Sequence, residues 1–196
     1  MNIIGLFPEP IYKENHNFKT SILDDIKTIE FNKNHQNQIS ENKNILDNYT
    51  DLKVSLQKIS QNFFNEIYKP SKVIELYITQ SWLNLTKENE NHHLHSHKNS
   101  IISGVYYINA NNNLDNIKFL NDRDFRQIYV DSDEFGTFNS QSWSFPIGTG
   151  DLVLFPSYLS HQVDNKKGDN LRVSLAFNTF IRGDLGRDDE VNRLIL

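Results

Sequence analysis

From Val73 to Ile181 the chain is a succession of short stretches rich in β-branched and aromatic residues, each stopped by Asn, Asp, Gly or Pro. That rhythm constrains the fold more than any other feature. The stretches are Val73–Leu85, Ile101–Ile108, Ile117–Phe119, Ser142–Ile147, Asp151–Phe155 and Leu171–Ile181. Segments of this length and content read as strands, and so many at this spacing bury their apolar faces only by closing into a sandwich or an open barrel. Gly148-Thr149-Gly150 reads as a hairpin turn between two of them; with no strand-to-helix step or lysine after it, it is not a phosphate loop.

Before Val73 the pattern differs. Met1 to Tyr12 alternates apolar residues with Pro8 and Pro10, as an edge strand that ends early would. Phe18, Ile22, Ile26 and Ile29 recur at helical spacing and predict a helix over Phe18–Phe31. Leu52, Leu56, Ile59, Phe63 and Ile67 mark one face of a longer helix that Pro70 stops. The polar tract Asn32–Asn44 between them is expected to be a loop, and both helices to be scaffold on the outer face of a sheet.

The length of 196 residues suits one globular domain with ample core. The tail from Gly183 to Leu196 is charged and then apolar at VNRLIL, a segment that would close a sheet edge or meet a second copy in a homodimer. With 25 acidic against 20 basic side chains and a net charge of −5, the balance argues against nucleic acid as a general partner. The absence of cysteine excludes disulfides and thiolate metal sites and permits a reducing compartment. No basic segment leads into an apolar one at the N-terminus, and no apolar run approaches the roughly 18 residues of a membrane span. The expectation is a soluble, cytoplasmic protein with no membrane partner.

Chemistry concentrates in one place. Four of the seven histidines lie between His92 and His97. In an extended segment His93, His95 and His97 share one face and His92 takes the other. Same-face neighbours sit roughly 6.5 Å apart along a strand, whereas two nitrogens on one metal ion are at most about 4.2 Å apart. Two ligands from the run and a third from elsewhere are therefore expected.

The other histidine in suitable surroundings is His161, which follows the strand Asp151–Phe155; His16 and His35 read as solvated. Arg172 lies in a strand, where a guanidinium needs an anion: a ligand, or Asp151 or Asp164 as a structural bridge. Imidazoles bind metal only when neutral, so ordinary histidines would release it below about pH 6.5. Trp82 and Trp143 are expected in the core, and Phe125–Phe138 is either a lid or an insertion.

His-x-His followed by SGVYYIN, then GDLVLFPSYLSH, then an arginine eleven residues after His161, resembles the iron(II)- and 2-oxoglutarate-dependent oxygenases. The likeness covers Leu76 to Phe180 and is greatest to small members of the prolyl-hydroxylase-like group common in marine bacteria and their phages; the opening IGLFPEPIY is also similar to that group's start. The resemblance implies a mainly β protein, a double-stranded β-helix (jelly-roll, cupin-like) core supported by two N-terminal helices. On that plan residues 1–70 are helical support, 71–182 the core and 183–196 an extension.

It also implies iron(II) on His95, His97 and His161, the distal carboxylate of 2-oxoglutarate on Arg172 with Ser174 beside it, and the Tyr107 phenol touching the same carboxylate. The activity implied is hydroxylation by O2 of a small molecule or a protein side chain, coupled to decarboxylation of 2-oxoglutarate to succinate, in the cytoplasm of a bacterium or an infected host cell. His97 departs from the family's usual carboxylate at the second position, leaving two positive charges on the ion to face a doubly negative cosubstrate. His93 with His95 is the alternative pair. A three-histidine cupin-type dioxygenase without 2-oxoglutarate, and a non-enzymatic binding module on the same fold, are the competing functions.

Overall fold

The computed structural model describes residue 1 and residues 3–121 and 130–196. In chain order its elements are β1 (Tyr12–Asn15), α1 (Ile22–Asp25), β2 (Phe31–Asn34), β3 (Asn37–Ser40), α2 (Thr50–Tyr68), β4 (Ile74–Thr86), β5 (His92–His95), β6 (Ile102–Asn109), β7 (Asn116–Leu120), β8 (Ser142–Pro146), β9 (Asp151–Pro156), β10 (His161–Val163), β11 (Arg172–Leu185) and β12 (Leu194–Ile195). The larger sheet runs β1-β9-β6-β11-β4-β3-β2, with β12 folded back on β11; the smaller runs β5-β10-β7-β8. From β4 to β11 the chain crosses repeatedly between the two sheets, and every pairing within them is antiparallel. That is a jelly roll.

At its centre the larger sheet is apolar on both faces, which is why β6 and β9 read as nearly unbroken apolar runs. Alternate residues of β11 serve opposite sides. Val173, Leu175 and Phe177 pack outward with Leu52, Leu56 and Phe64 of α2. Ala176 packs inward with Val105, Tyr107, Val153 and Phe155, against Ile117 and Phe119 of the smaller sheet. Helix α2 is built for this seat, because Leu52, Leu56, Ser60 and Phe64 recur every fourth residue as its buried stripe. It ends at Lys69 in the left-handed conformation, one residue before Pro70. Among the described residues no helix is long and apolar enough to cross a membrane.

Several expectations are corrected. The helix expected over Phe18–Phe31 is four residues long, since Thr28 turns back to the Asp25 carbonyl with both its amide and its hydroxyl at 2.8 Å. Of the two helices expected before Val73, α2 alone is a substantial support helix. The tract expected to be a loop is the hairpin β2–β3, turned at His35 with positive φ, and it extends the larger sheet beyond β4. The N-terminal strand starts at Tyr12, not before it.

Gly148–Gly150 does form a tight turn, with Gly150 at φ +90. The strands it joins, however, belong to different sheets, so it is a crossover and not a hairpin. Trp143 is 45% exposed, not core. His16 is half-buried and stacks on Phe18 at 4.9 Å, not solvated. Of Phe125–Phe138, residues 125–129 lie outside the described residues, and 130–138 form neither helix nor strand.

Candidate metal centre

Strands β5 and β10 pair so that His95 lies directly across from His161. Their ring centroids are 4.3 Å apart. His97, two residues on, is tied by its amide to the Ser157 carbonyl at 2.9 Å, and its ring comes within 5.1 Å of both other rings. One ligand nitrogen from each of the three lies within 4.8 Å of the others, and among the described residues this is the one group of three or more side chains so placed. Two nitrogens on a common first-row ion are about 4.2 Å apart at most, a difference that a small rotation of each ring closes.

Each ring is oriented by what its Nδ1 touches. His95 Nδ1 faces the His93 carbonyl at 2.8 Å and His161 Nδ1 the Leu159 carbonyl at 3.0 Å; a carbonyl only accepts, so the proton is on Nδ1 and the Nε2 lone pair is free. His97 Nδ1 meets Ser103 Oγ at 2.7 Å, and Ser103 donates to the Asn178 side-chain oxygen at 2.9 Å. With its own proton committed to Asn178, Ser103 accepts from His97, which leaves Nε2 free there too. Ser157 and Ser100 continue this hydroxyl chain at 2.7 Å per step.

Aromatic side chains pack on the centre, and its imidazoles are neutral. Phe155 packs on His161 at 4.6 Å and Trp82 meets His97 edge-on at 5.7 Å. Burial, reinforced by His95, lowers His97 to about 4. Burial likewise pushes His161 well below the ordinary imidazole value, with His95 and His97 adding to it. Three neutral imidazoles with inward lone pairs suit a divalent first-row metal such as iron(II), so the donor set fits the ion that the resemblance implies.

The other two histidines of the run part company. His93 is exposed and turns to His35, with ring centroids 4.4 Å apart. His92 does the opposite of what simple alternation predicts. The β5–β10 ladder pairs His161 with His95 but Val163 with His92, so two steps on one strand match three on the other. This β-bulge turns His92 onto the face of His95, where the two rings stack at 4.5 Å and 13°.

Arg172 stands on the inner face of the larger sheet and is 2% exposed. Its Nη2 donates to Thr86 Oγ1 at 3.1 Å, while Nε and Nη1 are buried without a partner among the described residues. The bridging alternatives are taken elsewhere, Asp151 by Lys13 at 2.8 Å and Asp164 by Lys118 at 3.8 Å. Ser174, two residues along the same face, pairs across the ladder with Tyr107. Burial raises the Tyr107 phenol and the nearby guanidinium pulls it back, so the phenol stays protonated beside a cation. Two orphaned guanidinium nitrogens at such depth fit a carboxylate ligand.

The sequence reading passed over Ser103, Ser157, Asn178, Asn84 and Thr86. A signal existed for the last two: Asn84 and Thr86 alternate with Leu83 and Leu85 and so share a face with Trp82. Asn84 is 4% exposed and its side-chain oxygen has no partner among the described residues.

Residues 80–178, half of the chain, match the family model described as "Putative 2OG-Fe(II) oxygenase". The chain belongs to this 2OG-Fe(II) oxygenase family. No protein of curated function matches the sequence. Among solved structures, the oxidoreductase of the 2OG-Fe(II) oxygenase family from Burkholderia pseudomallei superposes with a TM-score of 0.54 at 11% identity, over 81% of this chain and 76% of that one. HygX from Streptomyces hygroscopicus, with nickel, 2-oxoglutarate and hygromycin B bound, superposes with a TM-score of 0.57 at 8% identity, over 87% and 82%. At these identities the likeness is one of fold, and the fold is that of the oxygenase family.

Proposed function

We propose that this family member is an iron(II)- and 2-oxoglutarate-dependent hydroxylase, with His95, His97 and His161 holding the metal and Arg172 holding the far carboxylate of 2-oxoglutarate. The observation that carries the reading is the pairing of a three-imidazole cluster with a buried guanidinium whose Nε and Nη1 lack partners. HygX, of similar fold, holds nickel and 2-oxoglutarate. Iron(II) and 2-oxoglutarate together supply the oxidising chemistry, coupling reduction of O2 and loss of CO2 to hydroxylation of a C–H bond.

The chain's own residues orient and exclude. Ser103 and the two backbone carbonyls fix the imidazole tautomers; Trp82, Phe119 and Phe155 keep water from the metal side; Ser174 and Tyr107 offer hydroxyls beside Arg172. With no carboxylate among the three ligands the ion keeps both positive charges, so the ion and Arg172 together set three positive charges against the two negative charges of the cosubstrate. Residues 1–196 serve on this reading as one domain. Anaerobic protein loaded with iron(II) should develop a visible charge-transfer band with 2-oxoglutarate, and Arg172→Ala should weaken it with metal binding intact. No band from metal-loaded wild type would remove the proposal.

The replacement of a carboxylate by His97 favours a second reading, a three-histidine dioxygenase that uses no 2-oxoglutarate. Turnover unaffected by Arg172→Ala would select it.

A further inference from the structure

The bulge in β5 sets a fourth imidazole beside the metal-binding three. One face of His92 stacks on His95, yet His92 is not one of the three side chains whose nitrogens converge. Its Nδ1 is 3.3 Å from Asn37 Nδ2, and an amide nitrogen only donates, so Nδ1 accepts and the ring proton is carried by Nε2. Among the described residues that Nε2–H has no hydrogen-bond partner. Asn37 is itself 2% exposed and fixed in β3. An irregular ladder beside a functional site, with the side chain it re-aims clamped by a buried amide, is an arrangement for presenting a donor.

The sheet register says what the donor faces. In the β3–β4 pairing Gln38 lies opposite Leu85, which brings Asn37 level with Thr86, and Thr86 pairs across β4–β11 with Arg172. The support of His92 thus lies in the same row of the larger sheet as the guanidinium, while its ring lies against a proposed metal ligand. His92 therefore stands between the two ends of the proposed binding site.

Building on the function proposed above, we infer that His92 binds the 2-oxo acid, its Nε2–H donating to the carboxylate next to the keto group while Arg172 takes the far one. His92 is a cosubstrate-binding residue and not a fourth ligand. A neutral N–H donor adds no further positive charge to the site, and the stacking leaves the ring little freedom to turn away.

The test is anaerobic titration of cobalt(II)-loaded wild type, His92→Phe, His92→Gln and Arg172→Met with 2-oxoglutarate and with 2-oxobutyrate, which lacks the far carboxylate. His92→Phe keeps a ring on His95 and removes the donor; it should weaken both acids by the same factor, about ten- to a hundredfold, with cobalt affinity unchanged. His92→Gln, which restores an N–H, should recover part of the loss. Undiminished affinity for both acids in His92→Phe overturns the inference, as does a tenfold loss of cobalt affinity, which would make His92 a ligand. Arg172→Met should weaken 2-oxoglutarate alone; if it weakens neither acid, the proposed function fails by itself, whatever His92 does.

Discussion

Ser103 Oγ accepts from His97 Nδ1 at 2.7 Å and donates to the Asn178 side-chain oxygen at 2.9 Å, so one buried hydroxyl fixes which nitrogen of the ring stays open. Ser103→Ala removes the acceptor and lets the ring change tautomer or rotate. Groups that orient a metal-bound histidine in this way are commonly worth about ten- to a hundredfold in affinity. Calorimetric titration with cobalt(II) should show a loss of that size. Equal affinity in the variant would mean the ring is held by its packing on Trp82 and Phe155 alone.

Acid should act on the fold before it acts on the histidine centre. Burial holds His97 at about 4 against 6.5 in the unfolded chain. Between those values the unfolded chain takes a proton that the folded one refuses. The stability of metal-free protein is therefore complete above pH 6.5 and falls as pH drops toward 4, by about 1.4 kcal/mol per unit for each such imidazole. Urea midpoints at pH 7, 6, 5 and 4 should show this decline, shallower in His97→Gln. The same depression means that protons compete with metal only in more acid solution than ordinary histidines would allow, so metal should remain bound at pH 5.5. A flat stability profile would show that these rings are hydrated.

Gly104 in β6 faces Phe177 across the β6–β11 ladder, and a methyl group there would meet the ring at 2.2 Å. Phe177 is fully buried against the α2 side of the sheet and has nowhere to move. Gly104→Ala should cost about 1–3 kcal/mol, the range for overpacking a filled core. Urea denaturation should show a lower midpoint with the slope unchanged. A neutral result would show that the ring can slide.

The strands of the core were legible because each buries a continuous apolar run between turn residues; Ile102–Asn109 and Asp151–Pro156 begin and end within a residue of where their composition puts them. The β2–β3 hairpin was not legible. Its residues are almost all polar, and it is held by pairing with β4 and by Asn37 reaching His92, which local pattern does not contain. For the same reason a periodic apolar spacing was mistaken for a long first helix, although Phe18 packs on Tyr106 and His16 outside any helix. At the histidine run, alternation along a strand misplaces His92, because a bulge depends on the partner strand. Histidine spacing drew attention to the metal side, whereas the serine chain behind His97 has no signature of its own.

Arg172 offers the sharpest separation of fold from function. A guanidinium 2% exposed, with one hydrogen bond to Thr86 and two nitrogens unpaired, is a cost to the folded chain in the absence of ligand. Burial lowers its pKa, with Tyr107 and Asp115 opposing that shift. Methionine has nearly the same length and no charge to desolvate. Exchanging a buried ionic group for an apolar one of similar volume is often neutral or stabilising by about 1–4 kcal/mol. Arg172→Met should therefore unfold in urea at the same or a higher midpoint than wild type when neither metal nor 2-oxoglutarate is present. With metal bound to both, 2-oxoglutarate at a hundred times its wild-type dissociation constant should add about 2.7 kcal/mol to wild type and almost nothing to the variant, which narrows or reverses any lead of the variant. A variant less stable than wild type under both conditions would show that the arginine serves the fold and not a ligand.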